Sequence, residues 1–332
     1  MNFIKNASLS ILLLGTIAAL FVASCKPKKV DTSSSGQSLT QLFSGLSPAP
    51  QLFTINAGRD TAVYGAAGTL LHFYPKSFKT ASRGIISSGT IIVQLVEMYK
   101  PGDMIAARTS TVTDGGKLLQ SAGQVAISAT MDGQTVYANK YGIGFAQNNA
   151  TSQKMELFYS NTTNAALVAN WSVSDTTQAG TTCDGTDSAG NQIFYAGGIY
   201  MPPPKPWYYI FDSCTSFHFI NCDYWWNYSG ALNPVHLTLS DGSFNKDNTQ
   251  AFLALTDDQV NISFLIGSSA SDIALEEGGV PPGRNYKVVV ISNKDGNYYY
   301  FQQSGVTAEG LTINAVLTPS TQAAIKSELQ SF

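Results

Sequence analysis

The sequence predicts an all-β protein with two antiparallel β-sandwich-like domains and one short helix at the C-terminus. Three observations lead to this fold class. Runs of β-branched and aromatic residues recur at short spacing along the chain. Turn signals separate them, among them Asp132-Gly133, a pair typical of tight β-hairpins. No helical pattern stands between the strand-like runs, and this arrangement favours antiparallel sheets packed face to face.

Residues 1–24 have the layout of a secretory signal peptide. Lys5 is the only charged residue among them, and an apolar run from Ala7 to Ala23 leads to two small residues and Cys25. A membrane-spanning helix is the alternative, but the run is shorter than the roughly 20 residues that a bilayer requires. We therefore predict a signal peptide that is removed before Cys25.

Residues 25–50 are expected to form a flexible tether. Lys, Pro, Ser and Gly dominate its first part, and such a composition cannot bury a core. Its second part places four apolar residues at helical spacing, which we interpret as an amphipathic turn at the edge of the first domain. These residues are Leu39, Leu42, Phe43 and Leu46.

The four residues Val22-Ala23-Ser24-Cys25 resemble the lipobox of bacterial lipoproteins. The resemblance implies that Cys25 is acylated and becomes the new N-terminus, so that the membrane is a partner through this lipid. Lys26 follows the cysteine where an acidic residue would favour the inner membrane. The resemblance therefore implies lipid anchoring in the cell envelope, at the outer membrane, with the periplasmic or the exterior face left open.

Residues 51–148 are predicted to form the first β-sandwich domain. The run 90–99 starts without polar alternation, which predicts a strand buried on both faces. Asp132-Gly133 predicts a hairpin between the last two strands. The predicted strands are 52–55, 69–74, 90–99, 109–112, 124–130 and 135–138.

Residues 149–332 are predicted to form a second β-rich domain, after a polar break at 148–152. A hairpin loop is expected at 294–297. Thr318 is expected to cap the last element, a helix with Pro319 at its first position. Ile325, Leu329 and Phe332 would then share one face. The predicted strands are 154–159, 192–200, 207–211, 218–226, 235–239, 250–255, 260–266, 286–292, 298–303 and 311–317.

Several of these segments resemble a family of uncharacterised lipoproteins from Gram-negative bacteria. The runs 42–46, 51–55, 65–78 and 123–133, with Pro75 and Phe78 after a strand, are similar to the family's first domain. That domain is more remotely similar to the β-sandwich of ankyrins and netrin receptors. In the second domain Ile220-Asn221-Cys222-Asp223 resembles a family signature, although Phe219 stands where the family usually has tryptophan. The resemblance implies a fold and no established activity.

Three cysteines remain in the mature chain, at positions 183, 214 and 222. An exported protein favours disulfides. The resemblance implies that Cys222 is unpaired, and we predict a Cys183–Cys214 bridge. The alternative, Cys214–Cys222, needs a turn between the two residues, because eight residues of straight strand span about 27 Å.

An aromatic cluster spans residues 207–228 and is the candidate ligand surface. Neighbouring residues of a strand point to opposite faces, so Trp225 and Trp226 cannot both be buried on one side. The cluster can be core on one face and a glycan- or protein-binding surface on the other. The candidate ligand residues are Trp207, Tyr209, Tyr224, Trp225 and Trp226.

Other chemistry finds little support in the residues. The three histidines are scattered singly, and the polar loop 184–191 lacks the ligand spacing of a calcium-binding EF-hand, so we expect no metal and no cofactor. A net charge of −3 gives no reason to expect a nucleic-acid partner. The sequence carries no nucleophile elbow, phosphate loop or zinc-protease helix. The carboxylate pairs that a glycoside hydrolase would need are Glu97 with Asp103 or Asp212 with Asp223.

The predicted function is therefore that of a membrane-anchored envelope lipoprotein with a structural or protein-interaction role, and not an enzyme. A glycan-binding surface module that uses the aromatic cluster is the alternative. A glycan-acting hydrolase is the third hypothesis. The partner is accordingly a protein or a glycan, in addition to the membrane.

Overall fold

The structure is a computed structural model. Strands make up 55% of it and helices 10%, which confirms the all-β fold class with one short C-terminal helix. It describes residues 35–147, 155–160, 169–173, 181–182, 194–196, 199–201, 207–226, 228–266, 273–275 and 279–332.

The described elements are numbered here in chain order. The helices are α1 (Ser35–Leu46), α2 (Pro101–Ala106) and α3 (Gln322–Gln330). The first strands are β1 (Gln51–Asn56), β2 (Thr61–Tyr64), β3 (Leu70–Phe73), β4 (Phe78–Lys79), β5 (Ile85–Ile86), β6 (Thr90–Met98), β7 (Thr109–Thr113), β8 (Leu119–Met131), β9 (Gln134–Ala138), β10 (Tyr141–Gln147), β11 (Glu156–Tyr159) and β12 (Ala169–Val173). The others are β13 (Thr181–Thr182), β14 (Phe194–Ala196), β15 (Ile199–Met201), β16 (Trp207–Cys214), β17 (His218–Trp225), β18 (His236–Leu239), β19 (Thr249–Leu255), β20 (Val260–Ile266), β21 (Ile273–Leu275), β22 (Asn285–Lys294), β23 (Asn297–Val306), β24 (Thr312–Ala315) and β25 (Thr318–Ser320).

Two sheets form a sandwich in the first half of the fold. A ten-stranded sheet runs β5-β4-β9-β8-β17-β11-β12-β7, with β6 and then β1 on the other edge of β8. A five-stranded sheet runs β13-β16-β10-β3-β2. Side chains from both sheets, such as Leu95, Ile127 and Ile220 from one and Phe73 and Phe145 from the other, meet in one buried core. All pairs in these two sheets are antiparallel except β7 with β12.

An eight-stranded sheet, β24-β18-β21-β20-β19-β22-β23-β25, forms the second half. Its central strand β19 is buried on both faces, because alternate residues enter different cores. Leu253 and Leu255 pack with side chains from across the same sheet. Phe252 and Ala254 pack against the apolar sides of the helices, together with Ile325 of α3. Helices thus cover one face of this sheet.

Part of the predicted tether, residues 35–46, forms helix α1 and packs on the folded body. Residues 25–34 lie outside the described residues, but Ser35–Leu46 is a helix. Leu42, Phe43 and Leu46 are buried against the eight-stranded sheet and α3, and not at the edge of the first predicted domain. The helical spacing was visible in the sequence, whereas the packing partner lies almost 300 residues away in the chain.

The predicted boundary at 148–149 does not separate sheets. Strand β17 pairs with β8, and β16 pairs with β10, so strands from both sides of the boundary share both sheets of the sandwich. A polar break in the sequence marks a connection between elements, but hydrogen bonding between distant strands decides which sheet each strand joins.

Two expected hairpins are confirmed, and one expected strand differs. Asp132-Gly133 and Asp295-Gly296 connect β8 to β9 and β22 to β23, with all four residues at positive φ as a type I′ turn requires. Strand β6 was predicted to be buried on both faces, but it is fully buried on one face only. Its odd-numbered apolar residues enter the core, whereas Gln94 is exposed and Val96 is half-buried, because the outer face of this sheet stays open to solvent there.

The C-terminal helix begins three residues later than predicted. Thr318–Ser320 forms β25 and pairs with β23, so Thr318 is not the cap. The hydroxyl of Thr321 caps α3 and accepts a hydrogen bond from the amide of Ala324 at 3.1 Å. Ile325 and Leu329 are buried as expected.

Candidate functional site

The segment Asn221-Cys222-Asp223, which we call the signature after the predicted resemblance, lies at a β-bulge in the middle of the ten-stranded sheet. Cys222 pairs with Gly123, but Asp223 pairs with Ser121, so Ala122 is an extra residue in β8. Gly123 has a φ of +143°, and a Cβ there would lie 2.6 Å from the ring of Tyr99. The bulge therefore requires glycine at this position, for its backbone and for the space that Tyr99 occupies.

The signature side chains form a buried polar network. The Ser121 hydroxyl donates to the amide oxygen of Asn221 at 2.9 Å, and the Asn221 amide donates to the Asp223 carboxyl. Asp223 is fully buried, and burial raises the pKa of its carboxyl well above the usual range, although the hydrogen bond from Asn221 acts against the rise. Burial at the centre of the sheet thus favours the protonated form of this carboxyl.

Cys222 is not placed for nucleophilic chemistry. It is fully buried, and burial followed by the neighbouring Asp223 raises the pKa of its thiol well above the usual range. The thiolate is the reactive species, so this cysteine is inert in the folded protein. The signature thus has a structural place in the fold.

Of the three cysteines considered for a bridge, the structure describes Cys214 and Cys222. Cys214 is buried and carries a free thiol, whose pKa burial raises to about 12. Cys222 also carries a free thiol, so the alternative Cys214–Cys222 bridge is absent. Cys183 lies outside the described residues, so the Cys183–Cys214 bridge, which requires oxidation of the free Cys214 thiol, stays a prediction. Cys25, the predicted lipidation site, lies outside them as well.

The candidate carboxylates differ in their surroundings. The Glu97 carboxylate is occupied by three hydrogen bonds, from the side-chain amide of Gln51 at 2.7 Å and from the backbone amides of Ala67 at 2.8 Å and Thr69 at 2.9 Å. Asp212 is exposed, whereas its candidate partner Asp223 is fully buried. The hydrogen bonds from Ala67 and Thr69 hold the loop between β2 and β3 against Glu97.

The aromatic cluster is divided among three packing sites. Tyr209 is buried in the sandwich core, and Tyr224 packs against that core with its hydroxyl donating to Gln120. Trp225 packs beside Phe158 and Trp171. Trp226 packs on the core of the eight-stranded sheet. Trp225 and Trp226 thus point to different sides of the strand, as strand alternation predicted. Trp207 lies at the start of β16, and its side chain is outside the described part of the structure.

Trp225 and Trp226 each also have a charged neighbour. The Trp225 indole N–H donates to a Glu156 carboxylate oxygen at 3.2 Å, and the Lys117 ammonium lies 5.4 Å from its ring centre. The Arg284 guanidinium lies 5.9 Å from the Trp226 ring centre. These rings are half-buried and are covered from one side, so they do not form the continuous aromatic row that a flat glycan surface would need.

Histidine and metal chemistry find no cluster in the described part of the chain. The Nε2 atom of His72 lies 2.7 Å from an Asp60 carboxylate oxygen, within hydrogen-bond distance. His218 and His236 are exposed. Within the described ranges no group of three metal-ligating side chains comes together. No helix in those ranges is long and apolar enough to cross a membrane.

The sequence did not reveal that β7 is a buried polar strand between the two halves of the fold. The Gln124 amide of β8 donates to the Ser110 carbonyl at 2.9 Å. From the eight-stranded sheet, the Asn261 side chain donates to the Thr109 carbonyl at 2.6 Å, and its backbone amide donates to the Thr111 hydroxyl at 2.9 Å. The sequence predicted a strand at 109–112 without indicating its burial, and only the tertiary structure places donors on both sides.

A cleft of about 540 Å³ on the outer face of the ten-stranded sheet was also missed. We call it the β8 cleft, because it opens where β8 changes partners. On that edge β17 begins at His218, opposite Ile127, and β9 takes over opposite Ala129. The residues that line the β8 cleft are Gln94, Val96, Ala126, Ile127, Ser128, Tyr159, Ser160, Ser216, His218 and Phe219.

Comparison with known proteins adds no relative to this picture. No protein-family model, no curated protein and no solved structure matches the chain.

Proposed function

We propose that the protein is a lipid-anchored envelope lipoprotein whose folded body binds another protein through its sheet edges. The anchor rests on the residues Val22–Cys25 and their resemblance to a lipobox. Cys25 lies ten positions before the first residue of α1. A chain of that length spans at most about 36 Å, so the lipid would hold the body near the membrane.

The observation that carries the interaction role is the place of the exposed apolar side chains. Leu52 is 64% exposed on β1, which pairs with β6 alone among the described strands. Ile85 is 48% exposed on β5, which likewise pairs with β4 alone. Val306 is exposed at the end of β23, beyond the residues that β25 covers.

Sheet edges offer unpaired backbone donors and acceptors, and an apolar side chain on an edge favours the addition of a partner's strand. Soluble proteins usually protect such edges with lysine or proline. Edges that keep Leu52 and Ile85 exposed are therefore suited to binding an extended segment of another protein.

Site-specific photo-crosslinking in cells tests the interaction role. A photoreactive residue at Leu52 or Ile85 is expected to crosslink to a discrete protein. Tyr137 is the matched control, because it is exposed and aromatic but lies on β9, which is paired on both sides. Crosslinks of equal yield from Tyr137, or none from the edge positions, would contradict the proposal. Leu52→Lys should abolish the crosslink from Ile85 only if one partner spans both edges.

Radioactive palmitate labelling tests the anchor separately. The wild-type chain and Cys183→Ala are expected to take up label and to fractionate with membranes. Cys25→Ala should take up none and should keep its signal peptide. Labelling of Cys25→Ala at the wild-type level would refute the lipid anchor and leave the edge proposal standing.

The glycan surface predicted on Trp207, Tyr209, Tyr224, Trp225 and Trp226 has no specific support, since Tyr209, Trp225 and Trp226 belong to three packing sites. The hydrolase hypothesis has none either, because the Glu97 carboxylate accepts three hydrogen bonds that hold the loop between β2 and β3, and Asp223 is buried whereas Asp212 is exposed.

A further inference from the structure

The floor of the β8 cleft is a row of three apolar residues on neighbouring strands. Val96 of β6 and Phe219 of β17 both pair with Ala126 of β8, so their side chains lie side by side on one face. All three are half-buried. The adjacent odd-numbered residues, such as Ile127, enter the sandwich core. The row is thus the outer surface of the sheet, with the Phe219 ring as its largest element.

A polar row lies next to the floor. Gln94 pairs with Ser128 across β6 and β8, two residues along each strand from the floor, which is a distance of about 7 Å. The Ser128 hydroxyl lies 3.4 Å from the Gln94 amide oxygen. Both side chains are exposed, so a ligand can replace this weak contact without leaving a buried group unpaired.

His218 and two serines complete the wall. His218 has a φ of +90°, an unusual backbone conformation for a residue with a side chain, and it is exposed at the start of β17. The backbone amide of Ser160 donates to the Phe219 carbonyl at 3.3 Å and thereby holds the end of β11 against the cleft. Ser216 lies just before β17 on the same wall.

The chemistry of this lining selects the class of ligand. Among the ten lining residues there is no carboxylate, ammonium or guanidinium group. Serine hydroxyls and a glutamine amide can each donate and accept hydrogen bonds. A matching ligand is neutral, rich in hydroxyl groups and apolar on one face, which can stack on the Phe219 ring. A carbohydrate has these properties, and the cleft volume falls within the range of about 300–1,000 Å³ for ligand sites.

The strands of the cleft argue against a peptide. Strand β6 pairs with β1 and β8, and β8 pairs with β6 on one edge and with β17 and β9 on the other. Their backbone donors and acceptors are therefore used within the sheet. An extended peptide could not add as a strand there. Recognition must depend on side chains, as it does for sugars.

We propose that the β8 cleft is a binding site for a neutral glycan. Phe219 is the stacking platform, and Gln94, Ser128 and His218 are the hydrogen-bonding residues. The site goes beyond the edge-binding function proposed above and does not depend on it, because it uses the face of the sheet and not its edges.

Binding is tested with the full-length lipidated chain in detergent micelles. An array of neutral and acidic oligosaccharides is screened first, and the neutral probes maltotriose, cellotriose and chitotriose are then titrated by calorimetry. At least one neutral oligosaccharide is expected to bind. Binding of acidic glycans alone, or of no glycan at millimolar concentration, would overturn the proposal.

Variants then locate the site. Gln94→Ala combined with Ser128→Ala should weaken binding at least about tenfold, the effect of losing two hydrogen bonds. Phe219→Leu keeps an apolar floor but removes the ring, and it should weaken binding by a similar factor. Gln134→Ala on β9 removes an exposed amide outside the cleft and should leave binding unchanged. Equal affinity for the double variant and for Gln134→Ala, with unchanged thermal melting, would show that the glycan binds elsewhere.

Discussion

Replacing Asp223 with asparagine should remove a large part of the pH dependence of stability. The carboxyl is fully buried, and burial raises its pKa well above the ordinary value of 3.8. In the unfolded chain it is ionised from about pH 5 upward. Between these two pKa values folding takes up one proton, so the free energy of unfolding of the wild type falls as the pH rises.

The size of the effect follows from proton linkage. When folding takes up one proton, the free energy of unfolding falls by about 1.4 kcal/mol for each unit that the pH rises. Between pH 5 and pH 7 the wild type should therefore lose stability relative to Asp223→Asn, whose side chain does not titrate, by up to about 3 kcal/mol, the full amount for one proton over two pH units. Other carboxyl groups contribute equally to both proteins and cancel in the difference. An offset at pH 5, from the changed hydrogen bond to Asn221, does not affect the slope.

Urea unfolding of Ser33–Phe332, which forms one unit by its internal contacts, measures this difference by tryptophan fluorescence at pH 5, 6 and 7. Asp241→Asn is the control. Hydrogen bonds from Ser243 lower the pKa of Asp241, so its stabilising effect is complete above the unfolded pKa and is lost only at more acidic pH. Its difference from the wild type should stay constant from pH 5 to pH 7. A constant difference for Asp223→Asn as well would show that the buried carboxyl is ionised in the folded protein and refute the reasoning.

Three further predictions concern the bulge, helix α1 and the signature cysteine. Gly123→Ala should cost about 3 kcal/mol of stability, because a Cβ would meet the Tyr99 ring and the φ is positive; a change below 0.5 kcal/mol in urea unfolding would show that the strand shifts to accommodate it. Leu42→Ala should cost about 2–5 kcal/mol, whereas Gln41→Ala on the exposed side of α1 should cost almost nothing; equal effects would mean that α1 is not packed. Cys222 should resist maleimide at pH 8 in the native protein and react fully in urea, as peptide mass spectrometry would report; rapid native labelling would contradict its burial.

Local features of the fold were well predicted from the sequence. The two Asp-Gly hairpins were recognised because a type I′ turn requires residues that tolerate positive φ, which is a property of the turn alone. The apolar face of α3 was also recognised, since Ile325 and Leu329 recur at helical spacing. Its first residue was misplaced, because the pairing of Thr318–Ser320 with β23 depends on a distant strand.

The candidate site was predicted less well, because its residues are brought together by the pairing of strands that are separated in the chain. Residues of the aromatic cluster are neighbours in sequence, but Tyr209, Trp225 and Trp226 contact different cores. The β8 cleft joins Gln94, Ser128 and Phe219 from three strands that are far apart in the chain. Register between such strands has no signature in a single sequence.

The sequence by itself determined the strand-rich class and the tight hairpins, because each follows from short-range preferences of a few adjacent residues. Only the tertiary structure decided which strands share a sheet, that β7 carries hydrogen bonds between the two halves, and that Asp223 is buried. These features depend on contacts between residues on different elements, up to 152 positions apart for Asn261 and Thr109, where burial and hydrogen-bond partners are set by packing and not by local sequence.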